Sequence, residues 1–166
     1  SELPNELQVR LNELKALCDG LYLIGELSAK SMDQLVSFGE RMAVPLVAAW
    51  LRSNGLNVRR TDARDWIKTD EHYGAAEVCR EETNRLIREG VVSDMQFEIL
   101  LTEGFIGRSE AGNTTTLGRG GSDYTASLIA SALEAKCMEK STDVPGMLTA
   151  DPRIVVEADI IPEMSY

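Results

Sequence analysis

The stretch Thr114 to Asp123, TTTLGRGGSD, with the run Tyr124 to Lys136 behind it, decides how this chain is read. Three threonines and a leucine make a short β-branched segment suited to an extended strand. Gly118, Gly120 and Gly121 turn the chain, and a helix is predicted from Ser122 to Lys136. A strand passing through glycines onto a helix is the βα unit of a layered α/β domain. It is also an anion seat, because glycines allow positive φ and close approach, and the first-turn N–H groups of a helix have no intrahelical acceptor. Arg119, set among the glycines, adds a forked guanidinium suited to a carboxylate or a phosphate. The plainer alternative makes Ser122 an N-cap, the glycines a tight turn and Arg119 a solvated surface charge.

Upstream, Leu7, Leu11, Leu14, Leu17, Leu21, Ile24 and Leu27 recur at steps of three and four, which predicts one or two helices over Leu7 to Leu27. A second helix is predicted over Ser31 to Ser53, with Ser31 as N-cap, Asp33 in the first turn and Asn54-Gly55 as the stop. Leu35, Met42, Leu46 and Trp50 read as one face of it, while Gly39 predicts a close contact and Pro45 a kink. A strand follows over Leu56 to Thr61, then a polar stretch from Asp62 to Ala76, then a helix from Glu77 to Glu89 ending at Gly90. Phe97 to Thr102 reads as a buried strand and Cys137 to Thr142 as another. This alternation predicts an α/β fold, a three-layer α/β/α sandwich with a mainly parallel sheet.

At 166 residues the chain has the length of one domain. Seventeen basic against twenty-seven acidic side chains leave a net charge of -10, an unfavourable field for a polyphosphate, so nucleic acid is not an expected partner. No apolar run approaches the ~20 residues of a membrane span, and the amino terminus carries no basic-then-apolar signal pattern. Cys18, Cys79 and Cys137 form no CxxC pair and His72 is the single histidine, so neither a disulfide framework, a zinc site nor a His-rich metal centre is suggested. The expectation is a cytoplasmic protein without a metal site of its own. His72, Cys79 and the Tyr73-Gly74 loop receive no role; Trp66 and Tyr73 read as packing residues.

Two further stretches bear on chemistry. STDVPGMLTADPR, Ser141 to Arg153, follows a predicted strand, with Pro145-Gly146 fitting a type II turn and Arg153 placed to close on a phosphate. In open α/β sheets ligands bind beyond the carboxyl ends of strands, where both loops fall; alone, this one is also an ordinary surface loop. Glu40, in Phe38-Gly39-Glu40, is a carboxylate on a largely apolar helix that can receive an ammonium group, or else a solvent-facing residue. Arg41 is not its partner, since adjacent helical side chains do not face each other.

In this order and at this spacing, Ser37-Phe38-Gly39-Glu40, TEGFIG (Thr102 to Gly107), TTTLGRGGSD and TDVPG with TADPR resemble the aspartate kinases of the amino-acid kinase superfamily, over a region from about Leu7 to the end. The resemblance implies phosphoryl transfer from MgATP to the side-chain carboxylate of L-aspartate, giving 4-phospho-L-aspartate, the first step toward lysine, threonine and methionine. It implies that Glu40 receives the substrate ammonium, that Arg119 clamps its α-carboxylate, and that Gly120, Gly121 and Ser122 complete the pocket. It implies that Asp123 orients a catalytic lysine, that Thr142 and Asp143 contact the nucleotide, and that Arg153 lies near the ATP phosphates.

The chain also departs from that family. A KFGGTS strand, whose lysine binds ATP phosphates, is missing, as are the later lysine-bearing nucleotide segment and the ACT-type regulatory modules. Ser141 stands where the family usually has a Trp, and Leu148 where a Tyr commonly lies on the adenine side. Residues 1-166 therefore read as a partial catalytic domain, inactive by itself, and self-associating because a truncated sheet exposes edges. Two competitors remain, another amino-acid kinase and a non-catalytic assembly module or pseudokinase.

Overall fold

The computed structural model describes residues 3–92, 96–141, 146, 148–151 and 153–161. Helix α1, Leu3–Ile24, is one helix ended by Gly25 at φ 70°, the left-handed conformation that closes helices. Helix α2, Ala29–Ser53, is capped by Ser28, whose hydroxyl accepts from the Ser31 N–H at 3.1 Å, so the cap lies three residues before the one expected. Then follow β1 (Val58–Arg60), α3 (Ala63–Trp66), β2 (Lys68–Thr69), α4 (Arg80–Val92), β3 (Ile99–Leu101), β4 (Ile106–Ser109), β5 (Thr114–Thr116) and α5 (Gly121–Ala132).

β1 pairs with β3 in parallel, Val58 opposite Ile99, and β2 pairs with β4 in parallel, Lys68 opposite Arg108. β5 returns antiparallel on β4 through a turn with Gly112 at φ 83°, Ile106 opposite Thr116. Two of the three pairings are thus parallel, giving the expected α/β character. The main core gathers Ala63, Trp66, Ile67, Ile87, Val91, Ile106, Leu128 and Ala132 from α3, α4, α5, β4 and the residue after α3. Ile67, Ile87 and Ile106 are wholly buried, each worth about 1.5–3 kcal/mol of transfer free energy. Trp66 packs there as expected. Tyr73 is half-buried, its hydroxyl donating to Glu71 at 3.1 Å.

Several expectations are corrected. Helix α2 does not bury Leu46 or Trp50; the face it buries is Asp33, Ser37, Phe38, Arg41, Val44, Pro45 and Ala48. That polar stripe is tolerable because most of its groups are bonded: Asp33 to β5, the Ser37 hydroxyl to the Gln34 carbonyl at 2.7 Å, and Arg41 to Glu13 of α1 at 3.0 Å while stacking on Phe38, with the buried Arg41 Nε alone lacking a hydrogen-bond partner among the described residues. A Cβ on Gly39 would meet nothing within 4 Å, so the expected close contact there is absent. Helix α4 runs through Gly90 to Val92 instead of stopping, and the glycine serves close approach, Trp66 lying 2.4 Å from where a Cβ would be. Cys137 to Ser141 form no strand and are exposed; with Lys136, Glu139 and Lys140 alongside, no neighbouring edge takes them up. Two strands were not foreseen, β2, inside the stretch read as polar, and β4.

Candidate functional site

β5 ends at Thr116, and its last residue is held from two sides. Asp33, 2% exposed on α2, accepts from the Thr116 N–H at 2.8 Å and its hydroxyl at 2.8 Å, and from the Gly74 N–H at 3.0 Å. The Thr116 carbonyl accepts from the Ala76 N–H at 2.8 Å. One buried carboxylate therefore fixes helix α2, the 70–79 loop and the strand leading to the glycine turn. Charge-assisted bonds of this kind are the stronger class of hydrogen bond. The sequence reading placed Asp33 in a first helical turn and missed this role, whose partner lies 83 residues away.

Beyond Thr116 the chain enters the glycine turn. Gly118 (φ 72°) and Gly120 (φ 77°) adopt left-handed conformations that L side chains rarely take. Gly121 has a different reason, close approach: a Cβ there would lie 2.9 Å from the Phe105 ring and 3.0 Å from Leu117 Cβ. Gly104 likewise abuts Ser122, with 2.9 Å from a Cβ to Ser122 Cα. Phe105 itself sits at φ 69°, a conformation costly outside glycine and characteristic of functional turns. It is held there by its N–H donating to Thr125 Oγ1 at 3.2 Å and its carbonyl accepting from the Leu117 N–H at 2.9 Å. TEGFIG and TTTLGRGGSD are therefore one interlocked unit.

Gly120 is the N-cap of α5 and has no side chain to cap it; the Gly121 N–H donates to the Gly118 carbonyl at 3.0 Å, so the open positive end of the helix is carried by the N–H groups of Ser122 and Asp123. Arg119, Gly120, Ser122 and Asp123 are exposed and Gly121 is buried. Among the described residues Arg119 has no ion pair or hydrogen bond. A permanent cation beside an uncapped helix head is chemically competent to take a carboxylate or phosphate. Asp123 pairs with Lys140 at 2.6 Å, both about half exposed. Glu40 is half-buried on α2, seven residues after Asp33 and so on the same helical stripe, about 10 Å farther along the axis. No contact joins it to Arg119. Two cavities, of ≈ 540 and ≈ 1040 Å³, are lined by neither Glu40 nor the glycine turn.

Near α3, Asp62 and Arg64 form a forked pair, 2.6 Å at the shortest. Burial raises the Asp62 carboxyl, but the bonds from Arg64 outweigh it and hold the group below its ordinary value. Glu103 of TEGFIG is buried and accepts from the Ala63 N–H at 2.8 Å; burial above all pushes its carboxyl up, against the pull of that bond.

The sequence profile of the amino acid kinase family matches residues 7–166. The chain belongs to the amino acid kinase family. Among curated members it is 36% identical over 159 residues to lysine-sensitive aspartokinase 3 of Escherichia coli, covering 93% of this chain and 35% of that protein. It is 41% identical over 143 residues to an aspartokinase of Geobacillus stearothermophilus, covering 84% of this chain and 33% of that one. Its fold superposes on the crystal structure of E. coli aspartokinase III in complex with aspartate and ADP with a TM-score of 0.88 at 36% identity, over 95% of this chain and 35% of that one. The chain spans about a third of the length of the curated relatives it matches.

In this amino acid kinase chain Thr142 and Asp143 lie outside the described residues. Leu148 makes a bridge to Ile160, and Ser141 is exposed. Arg153 is exposed and its guanidinium is taken by Asp151, at 3.0 and 3.1 Å. That bond is what raises Arg153 and lowers Asp151 from their ordinary values. No helix among the described residues is long and apolar enough to cross a membrane.

Proposed function

We propose that this chain is part of an aspartate kinase catalytic domain and carries its acceptor half-site, serving transfer of the γ-phosphoryl group of MgATP to the side-chain carboxylate of L-aspartate. The observation that carries the reading is the Arg119 guanidinium, unpaired among the described residues, beside the uncapped head of α5, in a turn braced by the strained Phe105 and by Asp33. In this reading Arg119 takes the α-carboxylate in its fork, in a pocket completed by Gly120, Gly121 and Ser122, with the Ser122 N–H open to it. Glu40 takes the ammonium from the α2 side, leaving the β-carboxylate free to attack. Two anions meet in such a transfer, so positioning and positive charge at the accumulating oxygens are what the protein supplies. In a chain of net charge -10 that charge is local.

On the nucleotide side the reading assigns Thr142, Asp143 and Arg153, the last after exchanging Asp151 for a phosphate. Asp123 orients a lysine, and Lys140 is the one it meets here. In this reading Mg²⁺ enters with the nucleotide and would supply charge neutralisation there. A cytoplasmic location, a part in lysine biosynthesis and a homo-oligomeric state belong to the same proposal.

Calorimetric titrations with L-aspartate and with MgATP, beside a coupled assay for aspartate-dependent ADP formation, test it. The expected result is saturable aspartate binding without family-like turnover by the 166-residue chain. Binding of neither ligand would overturn the reading in favour of a non-catalytic assembly module.

A further inference from the structure

A cavity of ≈ 540 Å³ opens at the start of β5, the end of that strand away from the glycine turn. Its walls are one face of α2, where Lys30, Gln34, Phe38 and Arg41 follow at steps of four, four and three, the stretch of α1 from Glu13 to Leu17, Arg64 of α3 and the hairpin residues 112–114. Neither Glu40 nor any residue from Gly118 to Asp123 lines it, so it is separate from the site proposed for aspartate.

Arg41 is the anomaly of this cavity. Its side chain is 8% exposed, so its charge is almost wholly removed from water. A guanidinium carries five N–H donors, and a buried cation is stable only when they are answered. Among the described residues Arg41 makes one hydrogen bond, from Nη2 to Glu13 Oε2 at 3.0 Å, and stacks on the Phe38 ring at 4.5 Å; its buried Nε has no partner. Glu13 is a weak sole counter-ion, 45% exposed and shared with Arg10 at 3.4 Å. Burial above all, then repulsion from Arg64 and Arg10, hold the guanidinium below its ordinary value although Glu13 pulls the other way.

The rest of the wall adds donors and positive charge. Lys30 is exposed and makes no hydrogen bond or ion pair among the described residues. Glu71, the acid that feels Lys30, already accepts from Tyr73, Ser109 and Asn113. Arg64 gives its fork to Asp62 and its Nη1 to Thr114 Oγ1 at 3.0 Å, so it contributes field more than open donors. Arg10, Lys30, Arg41 and Arg64 thus stand against Glu13, Asp62 and Glu71, each of which is already hydrogen-bonded, in a chain whose net charge is -10. Positive charge with open donors, in a cleft of a size that takes small molecules, calls for an anion, and Ala16 and Leu17 offer an apolar wall to a short organic body. Donors converging from an Arg and a Lys suit the three oxygens of a phosphate group.

We infer that this cavity is a binding site for a small phosphomonoester, its phosphate held by Arg41 and Lys30 and its carbon skeleton lying along the Leu17 side of α1. The inference does not rest on the kinase reading.

Calorimetric titration of the 166-residue chain with glycerol 3-phosphate, and separately with inorganic phosphate, tests it. Because the head of α5 also suits an anion, both titrations are repeated in Arg119→Ala. Glycerol 3-phosphate should bind Arg119→Ala saturably, and more tightly than inorganic phosphate, which lacks the organic body. Lys30→Ala, an exposed substitution, and Arg41→Leu, which keeps an apolar contact with Phe38, should each weaken that binding by about tenfold or more, the loss expected for a hydrogen bond to a charged group, with an unchanged circular dichroism spectrum. Arg85→Ala, exposed on α4 and outside the cavity, should leave it unchanged. If Arg41→Leu loses the folded spectrum, Lys30→Ala alone decides. No saturable binding of glycerol 3-phosphate to Arg119→Ala, binding no tighter than that of inorganic phosphate, or binding indifferent to Lys30→Ala would each overturn the inference.

Discussion

Removing the Asp33 carboxylate should damage the fold more than any other single truncation on α2. In Asp33→Ala the Thr116 N–H and hydroxyl lose their acceptor inside the protein, where Thr116 is 2% exposed. Each buried donor left unsatisfied costs about 1–3 kcal/mol, so the pair costs about 2–6 kcal/mol. Gly74 is exposed, and water can replace the bond at its N–H. Asp33→Asn is the informative control. Its amide keeps one acceptor for the two N–H groups and can donate to a rotated Thr116 hydroxyl, so the loss falls to about 1–2 kcal/mol, the difference between charged and neutral hydrogen bonds. Urea unfolding followed by circular dichroism reads both. With a slope of about 2 kcal/mol/M, Ala should lower the midpoint by roughly 1–3 M and Asn by less than about 1 M. A change below about 0.5 kcal/mol for Asp33→Ala, or equal losses for the two variants, would refute the claim that this carboxylate joins α2 to β5 through buried donors.

Gly90→Ala should destabilise, although helix propensity alone predicts a gain of about 1 kcal/mol. The new Cβ would meet Trp66 Nε1 at 2.4 Å in the core, and overpacking costs about 1–3 kcal/mol, so the urea midpoint should fall. Glu103→Gln should alter the pH dependence of stability. Burial raises the Glu103 carboxyl in the folded chain, so between its unfolded and folded values the native state binds more proton, and stability falls as pH rises through that window. Relative to wild type the variant should therefore be most favoured at neutral pH, with its advantage shrinking as pH drops into the window, as read from paired urea midpoints. Gly121→Ala should weaken both the fold and aspartate binding, because its Cβ would press on Phe105 and Leu117; unfolding and calorimetric titration together check it.

Helices α1 and α2 were legible because periodicity and the Asn54-Gly55 stop mark them, while the four-residue α3 lay in a stretch read only as polar. β5 and the glycine turn were legible because Thr runs and glycines have strong backbone preferences. β4 was not. It reads Ile-Gly-Arg-Ser, and what buries it is no apolar alternation but packing at a glycine and hydroxyl bonding nearby: a Cβ on Gly107 would lie 2.8 Å from Thr69 Cγ2, and Thr69 and Thr115 share a bond of 2.7 Å. Hydrophobicity cannot reveal a strand satisfied by hydroxyls. The inward face of α2 was misread for a related reason, since its buried members include Asp33 and Arg41, whose partners lie far along the chain and on α1, and Ser37, whose hydroxyl is taken by the helix's own Gln34 carbonyl. Of the candidate site, the turn from Gly118 to Asp123 came from local sequence, whereas its bracing by Asp33 and Phe105 depends on tertiary contacts that no local pattern encodes.

We propose that Arg119 and Glu40 hold opposite ends of one small zwitterion. Calorimetric titration of wild type, Arg119→Ala and Glu40→Gln with L-aspartate and with succinate tests it most directly. The account predicts that L-aspartate binds wild type, that Arg119→Ala weakens both ligands, and that Glu40→Gln weakens L-aspartate but leaves succinate, which lacks the ammonium, unharmed. Equal affinity of wild type and both variants for L-aspartate would contradict it.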